Sequence, residues 1–487
     1  MGLFVGLDVG TTSVSAVVLD ADTSRLVAAL SLPHAAGRAG AIPGRAELDL
    51  DALWSAAQNA LGEVVAAAGG RVDVAALGVT GQMHGLALVR PNGTPVSPAI
   101  TWQDQRATER DESGATYLER FVSQAGGPAA FERMGALPAI GYLGLSLYWL
   151  RRRGLLPAPP VTACLIPDAI VTRLTGGTPV TDPTDAASTG LYDVAAGAWD
   201  TELLHRLGIP QGLLAPVRAS GEVAGGLRHE VADRVGLPAG LPVAVAIGDN
   251  QASFIGSVKD AARSLLVNIG TGAQVSALVD TFAREPGLEA RPFPGGRYLL
   301  VGAGLYGGAS YALLRDLFRQ IGRAFFGARG DEGLYERMNQ LADEVPPGSD
   351  GLRCVPLFSG TRVDPTVRGS FTGLSPRNLT PGHLARALLE GVADQLHALY
   401  NAMRPLAGPR TDLVGAGNAI ARNALLARIL AARFGLPLHL PAFDEAAAVG
   451  AALVAATTVG TIRDIDAAMA STLRYRSTVG PEPWGQV

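Results

Sequence analysis

The residues able to do chemistry fall in six short stretches. In "IGDNQAS", residues 247–253, Asp249 follows an apolar run and a glycine. A carboxylate there suits a general base at the mouth of a cleft, and it equally suits an ordinary turn or helix N-cap. "GQMHG" (81–85) and "TWQDQR" (101–106) add Gln82, His84, Gln103, Asp104 and Arg106, with Trp102 as an apolar wall. Such mixed, directional donors and acceptors are what a polyol requires. Taken alone, His84 is equally a satisfied structural histidine.

Two turns complete the set. "GLDVGTTSVSAVVLD" (6–20) places Gly10, Thr11, Thr12 and Ser13 between two apolar runs, and "LLVNIGTGAQVSALV" (265–279) repeats that plan at Gly270, Thr271 and Gly272. Clustered backbone N–H groups and hydroxyls suit phosphate oxygens, although a plain hairpin loop accounts for either copy alone. Asp8 stands inside the first apolar run, where a carboxylate is costly without a partner. A Mg²⁺ ion, met directly or through water, is the partner expected. In "LVGAGNAIARNALLARILAARFGLPLHLP" (413–441), Gly415, Gly417 and Asn418 separate an apolar run from a helical pattern. Close approach to a ring or phosphate and tight strand–helix packing both explain the glycines.

These groups need elements to hold them. "LFVGLDVG" and "VSAVVLD" read as a hairpin, "LDALWSAAQNALGEVVAAAG" as an amphipathic helix ending at Gly69 and Gly70, and "VAALGVTG" as a buried strand entering "QMHG". "DEAAAVGAALVAATTVG" reads as a helix whose small residues press on a neighbour. Residues 286–297 and 343–353 read as loops. Alternation of strand-like and helix-like segments predicts an α/β architecture. The echo of the opening hairpin predicts two similar halves facing each other across a cleft, divided into 1–244 and 245–487 at the Pro- and Gly-rich stretch 239–250.

Composition removes several function classes. The 487 residues carry a net charge of −4 and are 48% hydrophobic, which leaves no basic footprint for nucleic acid. The single lysine, Lys259, lies outside any GxxxxGK[ST] context, so a P-loop is absent. Cys164 and Cys354 show no metal-site spacing and read as packed thiols. No apolar run reaches membrane-spanning length, and no basic-then-apolar leader opens the chain. The default setting is therefore cytoplasmic, with no membrane partner.

In this order, from "DVGTTS" to "DEAAAVGAALVA", the motifs resemble the FGGY family of carbohydrate kinases. The resemblance implies two ribonuclease-H-like domains, of the actin, hexokinase and heat-shock ATPase type, around a deep interdomain cleft. It implies sugar bound mainly by the first domain and ATP mainly by the second. It assigns Asp8 to magnesium, Thr11, Thr12 and Ser13 to one phosphate loop, and Gly270, Thr271 and Gly272 to the other. Gly415, Gly417 and Asn418 match the adenosine turn, and Asp249 matches the catalytic base. Gln82, Met83, His84 and Asp104 fall where sugar contacts are expected. The combination of "TWQDQR", "GDNQAS", "DAASTGLY" and Gln274 is similar to sedoheptulokinases, so sedoheptulose is expected ahead of D-xylulose. A non-catalytic sugar sensor of the same fold is the alternative from another class, and the resemblance leaves room for a homodimer.

Overall fold

The computed structural model describes residues 2–38, 42–70, 73–327, 330, 333–358, 360 and 366–482. β-Branched, apolar runs build two seven-stranded sheets. In the first, the strands Leu3–Val9, Ser13–Asp20 and Arg25–Pro33 run antiparallel to their neighbours. Val74–Gly81 then joins Leu3–Val9 in parallel, and Pro242–Ala244 lies beyond it. The second sheet repeats this plan. Ser264–Ile269, Ala273–Val279 and Arg297–Leu305 form the antiparallel set, and Asp412–Ala416 and Leu438–Pro441 add on in parallel. The expected duplication is thus present as topology.

The hairpin, the buried strand and the first helix form where the pattern places them. Helix Leu50–Ala67 starts at Asp49, whose carboxylate accepts from the N–H groups of Asp51 and Ala52. Its Leu53, Ala57, Leu61 and Val64 are fully buried in the core of the first half. Each such leucine contributes roughly 1.5–3 kcal/mol of burial. Cys164 and Cys354 are both buried and free.

Helix Ala446–Thr458 joins the halves. It packs against the strands Leu3–Val9 and Val74–Gly81 and against helix Asp249–Ser257. The approach is close enough that a Cβ on Gly6 would lie 1.8 Å from the Ala448 carbonyl oxygen. Small residues are required there by contact, as their pattern suggests.

Three expectations need correction. Residues 286–297 are not a loop: Glu289–Phe293 and Arg297–Leu305 pair antiparallel about a Pro-Gly-Gly turn. The turn residues were visible in sequence, and the short strand flanking them was masked by their density. The helix expected after Gly417 is two helices, Asn418–Ala421 and Ala424–Phe434, because the Asn423 side chain accepts from Leu426 N and starts a new one. Ile247–Gly248 still pairs with Val74–Gly81. Sheet membership therefore changes between Gly248 and Ser264, beyond the 244/245 division drawn from composition.

Candidate active site

The first Gly-Thr turn is held from several sides. Gly10 N donates to Ser13 O at 3.0 Å, closing the hairpin. The Thr11 hydroxyl donates to Gln82 Oε1 at 3.3 Å and accepts from Trp102 Nε1 at 3.1 Å. Gln82 Nε2 and His34 Nε2 both reach the Gly10 carbonyl, at 3.4 and 3.2 Å. The side chain of Gln82 thus braces this turn, while Thr12 stands exposed beside it. His34 carried no sequence signal, because it lies in a separate segment that only the fold brings back.

The second turn repeats the closure, with Gly270 N donating to Gly272 O at 3.0 Å. It rests on the start of helix Gly307–Phe326, where Gly308 N and Ala309 N donate to the carbonyls of Gly270 and Thr271. This buttress was missed in sequence, although the Gly307-Gly308 pair before a helical pattern was its signal. Gly270, Thr271 and Gly272 are exposed. The turn at 415–418 packs against the same strand end: Gly417 has φ 88°, and a Cβ on it would lie 2.4 Å from the Ile269 carbonyl oxygen. Gly415 is buried and Asn418 exposed, so backbone and amide are presented beside the second turn.

Carboxylates gather between the halves. Asp249 is the first residue of helix Asp249–Ser257, and part of its surface stays open. Burial pushes its carboxyl up to about 6, against the lowering effect of the Arg291 guanidinium and of the Asn250 backbone. Asp8 is pushed up to about 7 by burial and then by the charges of Asp249 and Glu445. No hydrogen-bond donor among the described residues satisfies Asp8. An acidic pair of this kind, without a cationic side chain on Asp8, fits a hard divalent cation such as Mg²⁺. Among the described residues no three acidic, histidine or cysteine side chains converge to hold a metal on their own. Mg²⁺ commonly keeps waters and phosphate oxygens in its shell, so one or two carboxylates suffice.

Next to Asp249 lies a narrow pocket lined by Met83, His84, Tyr142, Ser188, Glu289 and Arg291, among others. Met83 packs next to Asp249 through Gly248, where a Cβ would lie 2.8 Å from the Met83 Cε. His84 has φ 74°, uncommon for a residue other than glycine. Ser188 holds it there: His84 N donates to Ser188 Oγ at 3.1 Å and Nδ1 to Ser188 O at 3.0 Å. Its ring stacks on Tyr142 with centroids 4.4 Å apart. Trp102 is 46% exposed and caps the first turn through its N–H.

Asp104 corrects the sequence expectation. Its side chain is wholly buried, and its oxygens accept from Arg106 Nε, Nη2 and N and from Ala46 N at 2.7–2.9 Å. Asp104 therefore braces the "TWQDQR" loop and does not line the pocket beside Asp249. Arg291 and Glu289 are pocket residues that sequence reasoning missed because they sit in the strand taken for a loop; Tyr142 and Ser188 were missed as well.

Comparison with known proteins gives the family. Residues 3–256 match the N-terminal domain, and residues 265–459 the C-terminal domain, of the FGGY family of carbohydrate kinases. A glycerol kinase of Trichlorobacter lovleyi is 33% identical over 95% of this chain and 91% of its own length. The crystal structure of xylulose kinase from Rhodospirillum rubrum superposes with a TM-score of 0.86 at 28% identity, covering 99% of this chain and 94% of that one. Glycerol kinase from Plasmodium falciparum, solved with ADP, shares the fold at a TM-score of 0.82 and 19% identity, over 99% and 94% of the two chains. Among the described residues no helix is long and apolar enough to cross a membrane. The chain belongs to the FGGY family of carbohydrate kinases and is a phosphotransferase.

Proposed function

We propose that the protein transfers the γ-phosphoryl group of ATP to a primary hydroxyl of a short, neutral ketose or polyol, with D-xylulose ahead of glycerol. The observation that carries this reading is the placement of Asp249, at a helix start between the two Gly-Thr turns' domains and beside a pocket of mixed polar and aromatic residues. The structural likeness to a xylulose kinase supports the pentulose, and the glycerol kinases among the relatives supply the second acceptor. Sedoheptulose, expected from sequence, gains no support from either.

In this reading Asp249 accepts the hydroxyl proton as the acceptor oxygen forms its bond to the γ-phosphorus. The bond from that phosphorus to the bridging oxygen breaks, and its electron pair leaves with ADP. The turns Thr11–Ser13 and Gly270–Gly272 hold phosphate oxygens, and Gly415, Gly417 and Asn418 receive the adenosine. Mg²⁺, held by Asp8, would neutralise charge on the phosphates. A carboxyl near 6 is mostly ionised at neutral pH yet basic enough to take a proton. The sequence division of labour, sugar on residues 1–244 and nucleotide on 245–487, is kept with one amendment. Glu289 and Arg291 bring the second half into the acceptor pocket.

The test is acceptor-dependent ADP release with Mg-ATP on D-xylulose, glycerol, sedoheptulose, D-ribulose and L-ribulose, beside a blank. Strong turnover of D-xylulose is the expected result. Turnover of none, with ATP still bound, would overturn the ketose-or-polyol reading of the acceptor.

A further inference from the structure

Helix Gly307–Phe326 is longer than the body that holds it. Its first half is anchored: Gly307, Ser310, Tyr311 and Leu314 are buried. Tyr311 stacks on Tyr335 with centroids 5.9 Å apart, and its hydroxyl donates to Asn339 Oδ1 at 2.8 Å. Beyond Phe318, which packs partly buried against the core of the second half, the helix overhangs. From Gln320 to Phe326 every residue except Gly322 is exposed. A helix end standing in solvent is expected to be polar all round. Here Leu313, Leu317 and Ile321 are 48, 47 and 39% exposed, and Phe325 and Phe326 are 78 and 81% exposed. Leu313, Leu317, Ile321 and Phe325 follow one another at intervals of four and so line a single ridge. At the helical spacing Arg315, Asp316, Arg319 and Arg323 fall on the opposite side, where Asp316 pairs with Arg315 and Arg319.

We propose that this ridge is the contact between two copies of the chain, paired about a two-fold axis beside Ile321, the middle of the overhanging stripe. Ridges of the i±4 kind pack into grooves of the same kind on a second helix, so such a ridge is its own complement. The axis sets the two Ile321 side chains against each other and Leu317 of each copy against Phe325 of the other, with Ala324 small enough for the helices to approach. Charge does not oppose the pairing, because both copies turn their charged sides outward. Area agrees with it. The five apolar side chains expose on the order of 500–600 Å² per copy, at the top of what a lone soluble chain leaves uncovered. Two copies together would cover roughly 1,000–1,200 Å², where specific pairing begins. The inference does not depend on which acceptor the protein phosphorylates.

Sedimentation velocity of the full chain tests this. Native protein should sediment as a dimer at micromolar concentration. Ile321→Glu sets two carboxylates face to face on the axis and should raise the dimer Kd about a hundredfold or more. Its far-ultraviolet circular dichroism should match that of native protein, since Ile321 is an exposed position outside the core. Ile321→Cys should be joined to a second copy by a short bismaleimide, which the native chain resists because Cys164 and Cys354 are buried. A native chain that is monomeric at that concentration, or a dimer that survives Ile321→Glu, would overturn the inference. Should Ile321→Glu fail to fold, absence of the cross-link in Ile321→Cys would overturn it instead. A monomeric native chain that floats with vesicles of phosphatidylcholine and phosphatidylglycerol would also overturn it and give the ridge to a lipid surface.

Discussion

Replacing Asp185 by asparagine is expected to stabilise the protein by an amount that grows with pH. Asp185 is fully buried, and neither of its carboxylate oxygens has a hydrogen-bond partner among the described residues. Asp168 and Asp182 are buried beside it, and Asp249 also acts on it. Burial first, and then the charges of Asp168, Asp182 and Asp249, hold its carboxyl well above the ordinary 3.8. The folded state therefore keeps a proton that the unfolded state releases. Stability from such a group is fully present below the unfolded value and falls as pH rises above it, by about 1.4 kcal/mol per pH unit for one proton. Asparagine has nearly the same shape and no proton to lose. Between about pH 4.5 and the raised folded-state value the stability of the variant relative to native should widen, by about 1.4 kcal/mol per pH unit at most. Urea denaturation at several pH values in that window, analysed with a common slope m, measures it. A difference that stays constant with pH, or a variant that loses ground as pH rises, would refute the protonated carboxyl.

Three further outcomes are expected. Asp249→Asn should lower kcat by roughly 10²–10⁴ while ATP binding persists; in native protein kcat/KM should fall as pH drops through about 6, where the base becomes protonated. An activity independent of pH down to about 4.5 would count against Asp249 as the base. Gly6→Ala should cost about 3 kcal/mol or more, because the new methyl meets the Ala448 backbone and no flexible side chain can yield; a thermal melt reads the loss, and an unchanged melt would contradict the packing. Gln82→Leu removes two long hydrogen bonds from the first turn, so KM for ATP should rise about fivefold, from roughly 1 kcal/mol. A rise confined to the acceptor's KM would return Gln82 to the sugar-contacting role expected from sequence.

Much of this protein was legible before folding because its signals are local. Strand–turn–strand plans at 6–20 and 265–279 announce themselves through β-branched runs and turn residues only a few positions apart. The duplication of the two sheets followed from their echo. Asp8 and Asp249 drew attention as carboxylates beside apolar runs, and both do lie in the acidic group between the halves. The small-residue helix at 446–458 was legible as a close contact, though not its partner.

What tertiary structure alone decided is which polar groups are spent on the fold and which remain for a ligand. Asp104 and Gln82 have the chemistry of sugar contacts, but their oxygens and nitrogens are committed to Arg106, Ala46, Thr11 and Gly10. Arg291 lay in a stretch that reads as a loop, and only pairing with Arg297–Leu305 and attachment at Gly135 turn it into the pocket. His34 and Ser188 support the site from segments that no local pattern joins to it. Strands and turns are set by neighbours in the chain, whose interactions are written in spacing. The satisfaction of a buried polar group depends on partners tens or hundreds of residues away, and only the packed fold brings them within hydrogen-bond reach.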